Sequence, residues 1–232
     1  MKTMTLTLRV LAHLLSYPDA ALREHLGELR DALHTERALS FGRLAELDML
    51  LDRLGSAHTL DTEANYVELF DRGRGTALHL FEHVHGDSRD RGPAMVDLIK
   101  TYEQAGLYLG EAELPDHLTV VLEYASTQPP AQAAEFLREI SHILQVIFSA
   151  LLKRGSPYAS VVAAVLDLAG EKAQAVKLPE EIDLDESWAE PPAFGGCSTQ
   201  GQARPGQPQP IQVVKRPPAQ AAAPTPLPGA RA

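Results

Sequence analysis

The sequence predicts an all-α protein: one helical domain of about eight to nine helices, spanning residues 1–178, followed by a tail over 179–232. Three observations carry this. Apolar residues recur at helical spacing almost throughout residues 1–178, whereas alternating stretches rich in β-branched residues are missing. The chain has 232 residues and is 44% hydrophobic, enough for one sizeable core but not for two. Beyond residue 178 the periodicity stops. Residues 179–232 hold 11 of the 17 prolines, an acidic patch at 180–190 and then a Pro/Gln/Ala-rich run. That composition buries too little apolar surface to offset the entropy of ordering, so disorder is expected, with Ile211-Gln212-Val213-Val214 as a short docking candidate.

Taken in order, helices are expected near 3–16, 19–34, 41–54, 61–71, 75–84, 90–108, 115–127, 131–153 and 157–169. The first has an apolar run interrupted by Arg9 and His13, too broken for a signal peptide, so it reads as a core helix. In the third, Leu44, Leu47, Leu51 and Leu54 share a face, and Gly55 follows as a stop. Pro115 starts the seventh, with Asp116 near its positive end and Leu118, Val121, Leu122 and Ala125 facing the core. The longest, 131–153, gathers Phe136, Ile140, Ile143, Leu144, Ile147 and Leu151 within an arc of about 100°, as a central helix would. Gly155 and Ser156-Pro157 punctuate the start of the last helix, and Gly170 its end.

Composition removes several classes of function. Asp and Glu outnumber Lys and Arg 31 to 21, which disfavours nucleic-acid binding. With Cys197 as the single cysteine, neither an intramolecular disulfide nor a cysteine metal cluster can form. No segment reaches the roughly 18–20 uninterrupted apolar residues of a membrane span, so a cytoplasmic protein without stable membrane insertion is expected.

The densest chemistry lies in His79-Leu80-Phe81-Glu82-His83-Val84-His85-Gly86-Asp87-Ser88-Arg89-Asp90-Arg91-Gly92. His79 and His83 fall on one helical side, but the zincin order is absent and His85 points elsewhere. Glu82-x-x-His85 and Glu139-x-x-His142, with Glu68 and Glu123, would be the residue types of a helical di-iron or zinc enzyme, the alternative reading. Against it, His142 lies about 120–150° from the apolar centre of its helix and His85 adjoins Gly86. No catalytic triad, P-loop or dinucleotide fingerprint occurs. The plain reading is a helix end, a left-handed Gly86, a cap from Asp87, Ser88 or Asp90, and a helix restarting around Pro93, with Arg89 and Arg91 beside its N-terminus.

Three ordered motifs carry a resemblance. Tyr66-Val67-Glu68-Leu69-Phe70-Asp71, then His85-Gly86-Asp87-Ser88-Arg89-Asp90-Arg91-Gly92, then Glu113-Leu114-Pro115-Asp116-His117-Leu118 followed by Glu123, resemble the NarJ family of nitrate reductase assembly chaperones, within the wider TorD/DmsD group. The resemblance spans roughly residues 5–170. It implies a TorD-like helical domain that binds the N-terminal segment of the apo catalytic (alpha) subunit of respiratory nitrate reductase. It further implies that the domain keeps that subunit competent for insertion of the molybdenum cofactor and for docking to its membrane partner, without joining the finished enzyme. No catalytic residue, metal or cofactor of its own is implied, and the proteins of molybdenum cofactor biosynthesis are further expected partners. The binding mode would be an amphipathic peptide in a groove between helices. Tyr66 and Phe70 are then expected in the apolar wall and Arg89, Arg91, Asp116 and Glu123 in the polar rim. Asp71, His85, Gly86, Asp87 and His117 complete the expected partner-binding set.

Overall fold

The computed structural model describes residues 3–86, 88–110 and 113–178. Asp87, Cys197 and the whole expected tail, including Ile211–Val214, lie outside these residues. The described residues are helical with no strand. The helices are α1 (Thr5–Leu14), α2 (Ala20–Glu24), α3 (Leu26–Glu36), α4 (Phe41–Ser56), α5 (Thr59–Tyr66), α6 (Leu80–Val84), α7 (Arg91–Gln104), α8 (Leu118–Thr127), α9 (Pro130–Glu139), α10 (Ser141–Lys153) and α11 (Ala159–Leu168). A π-helical turn, Val67–Asp71, continues α5, and a 3-10 turn covers Arg74–Thr76.

Several ends form for the local reasons the sequence supplies. The Asp19 carboxylate accepts the Leu22 N–H at 2.8 Å and the Ser40 hydroxyl accepts the Arg43 N–H at 3.2 Å, capping α2 and α4. Gly155 and Gly170 take φ +62° and +79° after α10 and α11, and the Ser156 and Glu171 N–H groups reach back to the Leu151 and Leu166 carbonyls. These are left-handed helix stops, which glycine adopts without Cβ strain.

Two expected long helices are each divided. His25, at φ −99° and ψ 6°, separates α2 from α3 within 19–34. Ile140, at φ −93° and ψ 3°, does the same within 131–153. The break lets α9 pack on α8 and α11, while α10 packs on α11 and the Arg74–Thr76 turn. The central element is therefore α11 and not the 131–153 segment. Eight of its ten residues are buried because AlaSerValValAlaAlaValLeuAspLeu is small and apolar nearly all round. Around it, α1 crosses α8 and α3, and α4 packs on α3 and α11. Arg43 ties α4 to the end of α11 by donating from Nε to Asp167 at 2.8 Å.

The aromatic pair Tyr66 and Phe70 belongs to this core. Tyr66 is 6% exposed and donates its hydroxyl hydrogen to the Leu15 carbonyl at 2.7 Å. Its ring lies 4.8 Å from Phe70, which meets Tyr158 edge-on at 5.1 Å.

Candidate functional site

The motif around Asp116 departs from the helix start expected at Pro115. Residues 78–80 and 116–118 run side by side in an isolated antiparallel bridge at His79 and His117. The Leu80 N–H donates to the Asp116 carbonyl at 3.0 Å and the Leu118 N–H to the Leu78 carbonyl at 2.9 Å. This pairing holds His117 extended, at ψ 130°, so α8 begins only at Leu118. Tyr102 of α7 locks the same loop by donating its hydroxyl hydrogen to the Pro115 carbonyl at 2.8 Å.

Asp116 consequently serves a different helix from the one expected. Its side chain is fully buried, and its Oδ2 accepts the Phe81 N–H at 3.1 Å, an N-cap for α6 supplied from 35 residues away. His79 Nδ1 stands 3.5 Å from Oδ1 and Arg91 Nη2 stands 3.8 Å from Oδ2. These two are charge contacts longer than hydrogen bonds, and the Phe81 amide makes the directional contact. Burial pushes the Asp116 carboxyl up, but His79, the Phe81 amide and Arg91 together outweigh it and hold the carboxyl below its ordinary value. Reciprocally, the Asp116 contact raises His79 above the ordinary imidazole range. His117, with its ring 4.9 Å from His79, is pushed down to about 4 by burial and then by the charge on His79. Its Nδ1 sits 2.6 Å from the Thr119 hydroxyl. It is a neutral imidazole throughout the physiological range.

The turn between α6 and α7 is anchored to this node through Arg91, which also faces Glu82 at 3.7 Å. Gly86 takes φ +51°, the left-handed conformation expected of it. Asp90 occupies the N-cap position of α7 but does not cap with its side chain; its N–H donates to the Ser88 hydroxyl at 3.2 Å. His85 stacks edge-on against Phe81 at 5.5 Å. Arg89 and Asp71 are exposed. Thus Arg91, Asp116 and His117 come together, with His79 and Glu82 added, while Tyr66 and Phe70 stand apart in the core.

Glu123 belongs to another surface. A groove of about 400 Å³ runs between α1 and α8, lined by Arg9, His13, Tyr108, Val120, Glu123 and Tyr124 among others. A second hollow of about 470 Å³, which shares His13 with the first, is lined by Tyr17, Leu22, His25 and Leu29. Tyr108 in the first is 80% exposed and Tyr17 in the second 46%, so both hollows along α1 are open and partly aromatic. The first mixes apolar walls with Arg9, His13, Glu113 and Glu123, the makeup suited to an amphipathic segment. The signal for it in the sequence was Arg9 and His13, one turn apart on an otherwise apolar helix. Tyr108 and Tyr124 left no comparable trace, because only the crossing of α1 and α8 brings them together.

Among the described residues, no group of three or more His, Cys, Asp or Glu side chains converges to hold a metal ion. Glu68, Glu82, Glu123, Glu139 and His142 are all exposed, whereas a di-iron site needs its carboxylates turned into a bundle core. The metalloenzyme alternative finds no support in this geometry. Nor, among the described residues, is any helix long and apolar enough to cross a membrane.

The helical fold is similar to that of a protein from Archaeoglobus fulgidus described as a redox enzyme maturation protein. The two share a TM-score of 0.51 and 19% identity over 74% of this chain and 96% of that one, a likeness of fold alone. The model of the nitrate reductase delta subunit family matches residues 16–164, and the chain belongs to that family. Escherichia coli K12 NarJ, named a nitrate reductase molybdenum cofactor assembly chaperone, is 45% identical over 173 residues, covering 75% of this chain and 73% of NarJ. NarW of the same organism is 41% identical over 182 residues, 77% of this chain and 74% of its own.

Proposed function

We propose that this protein is a system-specific chaperone for assembly of respiratory nitrate reductase and acts without catalysing a reaction itself. It binds the apo catalytic subunit through that subunit's N-terminal segment, keeps it open to insertion of the molybdenum cofactor, and leaves before the enzyme is complete. The observation that carries the reading is the 45% identity to NarJ across about three quarters of both chains. The groove along α1 supplies a physical means. An amphipathic helix laid there would set its apolar anchors against Tyr124, Val120 and Leu29 and its polar side against Arg9, His13 and Glu123.

The partner-binding residues then divide by role. Glu123 contacts the client directly, and Arg89, Asp71 and His85 extend the contact across the neighbouring turn. Asp116, His117, Gly86 and Arg91 hold that turn in shape, while Tyr66 and Phe70 support the helices behind it. Asp87 joins this set on the strength of its motif alone. Proteins of molybdenum cofactor biosynthesis meet the chaperone–client complex in the cytoplasm, and residues 1–178 form the chaperone domain.

Calorimetry with a synthetic peptide from the start of the catalytic subunit tests the reading. Saturable binding, weakened by Tyr108→Ala and Glu123→Lys with the helical melt unchanged, is the expected result. Absence of any saturable heat would refute it.

A further inference from the structure

Away from the α1 groove, a two-part cleft lies where α4, α5 and the chain entering α11 meet. Its outer part, about 200 Å³, is lined by Arg53, Asn65, Glu68, Arg154 and Ser156 together with neighbouring backbone. Its inner part, about 240 Å³, shares Arg53, Asn65 and Pro157 with the outer one and continues between Leu50, Leu54 and Tyr158. The two parts therefore differ in chemistry, charged outside and half apolar inside.

Three features of this cleft have no use in the fold. Arg53 and Arg154 are exposed, and neither has a carboxylate within ion-pair distance among the described residues. Among the nearby carboxylates, Glu46 pairs with Arg43, Asp52 with Arg30 and Glu68 with Arg72 at 3.2 Å, while Asp61 shares the recess with Arg53 beyond ion-pair distance. The third feature is the Tyr158 hydroxyl, buried with no hydrogen-bond partner on a residue only 3% exposed. An unpaired buried hydroxyl is unfavourable and rare unless something completes it. Gly73 adds a positioning element. A Cβ built there would lie 2.8 Å from Arg154 Nη1, so the guanidinium settles over the glycine beside the cleft.

We propose that this cleft binds a phosphate ester, with the phosphate oxygens in the outer part between Arg53 and Arg154 and the organic body in the inner recess against Tyr158. A phosphate group carries about two negative charges and three acceptor oxygens, matching two guanidinium forks plus the neutral donors of Asn65 and Ser156. A single carboxylate would occupy one guanidinium and leave the second unpaired. The recess lined by Leu50 and Leu54 takes an uncharged ring, and a polar edge on that ring pairs with the Tyr158 hydroxyl. Asp61 at the recess mouth disfavours ligands that carry a second anionic group on the organic body.

The test is calorimetry on the full chain with inorganic pyrophosphate, ADP, GDP and, as a non-phosphate polyanion, citrate. Saturable binding of pyrophosphate is expected, with at least one nucleoside diphosphate binding more tightly. Arg53→Ala and Arg154→Ala should each weaken pyrophosphate binding by about tenfold. Tyr158→Phe should weaken only the nucleoside diphosphate. Both arginines are exposed and unpaired, so thermal melts of these variants should match the parent. The proposal is overturned by absence of saturable binding at millimolar phosphate ligand, by unchanged affinity in the Arg53→Ala/Arg154→Ala double variant, or by citrate binding as tightly as pyrophosphate.

Discussion

Replacing Asp116 distinguishes a residue that holds the turn from one that holds the client. Asp116→Asn keeps a side-chain oxygen for the Phe81 N–H and removes the charge shared with His79 and Arg91, which stand 3.5 and 3.8 Å away. Breaking a fully buried pair costs about 3–5 kcal/mol. Here the partners are 31% and 29% exposed and recover part of their hydration, so a loss of about 1–2 kcal/mol is expected. Asp116→Ala also leaves the Phe81 amide uncapped and adds about 1 kcal/mol more. For a chain of this size that corresponds to a fall in Tm of roughly 2–8 °C for Asn and up to about 12 °C for Ala. The pH profile sharpens the test. Asp116 is held below its ordinary value, so its contribution is present above the unfolded carboxylate pKa of about 4 and is lost as pH falls through the lower folded value. His79 is raised, so its contribution is complete below about pH 6.5 and is lost as pH rises through the folded value. The pair therefore stabilises most between about pH 4 and 6.5, and Asp116→Asn should lower Tm most in that window and flatten the profile on either side of it. Thermal melts from pH 3.5 to 8 measure both effects. A variant that melts within 1 °C of the parent at every pH refutes the clasp, and loss of client binding in so stable a variant would make Asp116 a contact residue instead.

Three further outcomes follow from the same coordinates. Gly73→Ala should destabilise the domain by at least about 2 kcal/mol in denaturant melts, because the new Cβ collides with the Leu69 carbonyl oxygen and the Thr76 hydroxyl. Tyr66→Phe removes the hydroxyl donated to the Leu15 carbonyl and should cost about 1–2 kcal/mol while leaving peptide affinity unchanged, since the ring is inside the core. The His117 imidazole should titrate in NMR near pH 4 and stay neutral above pH 5.5, whereas His79 should titrate above the ordinary histidine range.

Much of the fold was legible in residue order because the responsible physics is local. Helical periodicity marked the helices, and Gly86, Gly155 and Gly170 marked boundaries through left-handed turns that depend on one or two residues. The functional readings were less legible, since they depend on which side of each helix becomes interior. Tyr66 and Phe70, which the resemblance offered as a wall for a client, meet Tyr17 and Tyr158 from distant segments. The groove along α1 behaved in the opposite way: Arg9, Tyr108 and Tyr124 are scattered in sequence and converge only where α1 crosses α8.

Asp116 shows where the division falls. From sequence alone its class was settled: an acid beside a helix start, in a chain whose periodicity predicted helices and whose three ordered motifs resembled those of assembly chaperones. Which helix it caps was settled only by the pairing of residues 78–80 with 116–118, which carries its carboxylate to the Phe81 amide instead of to α8. Helix propensity acts over a few residues and survives in the one-dimensional pattern. Burial and charge pairing act through space, and whether Asp116 met water, His79 or a client depended on the packed chain.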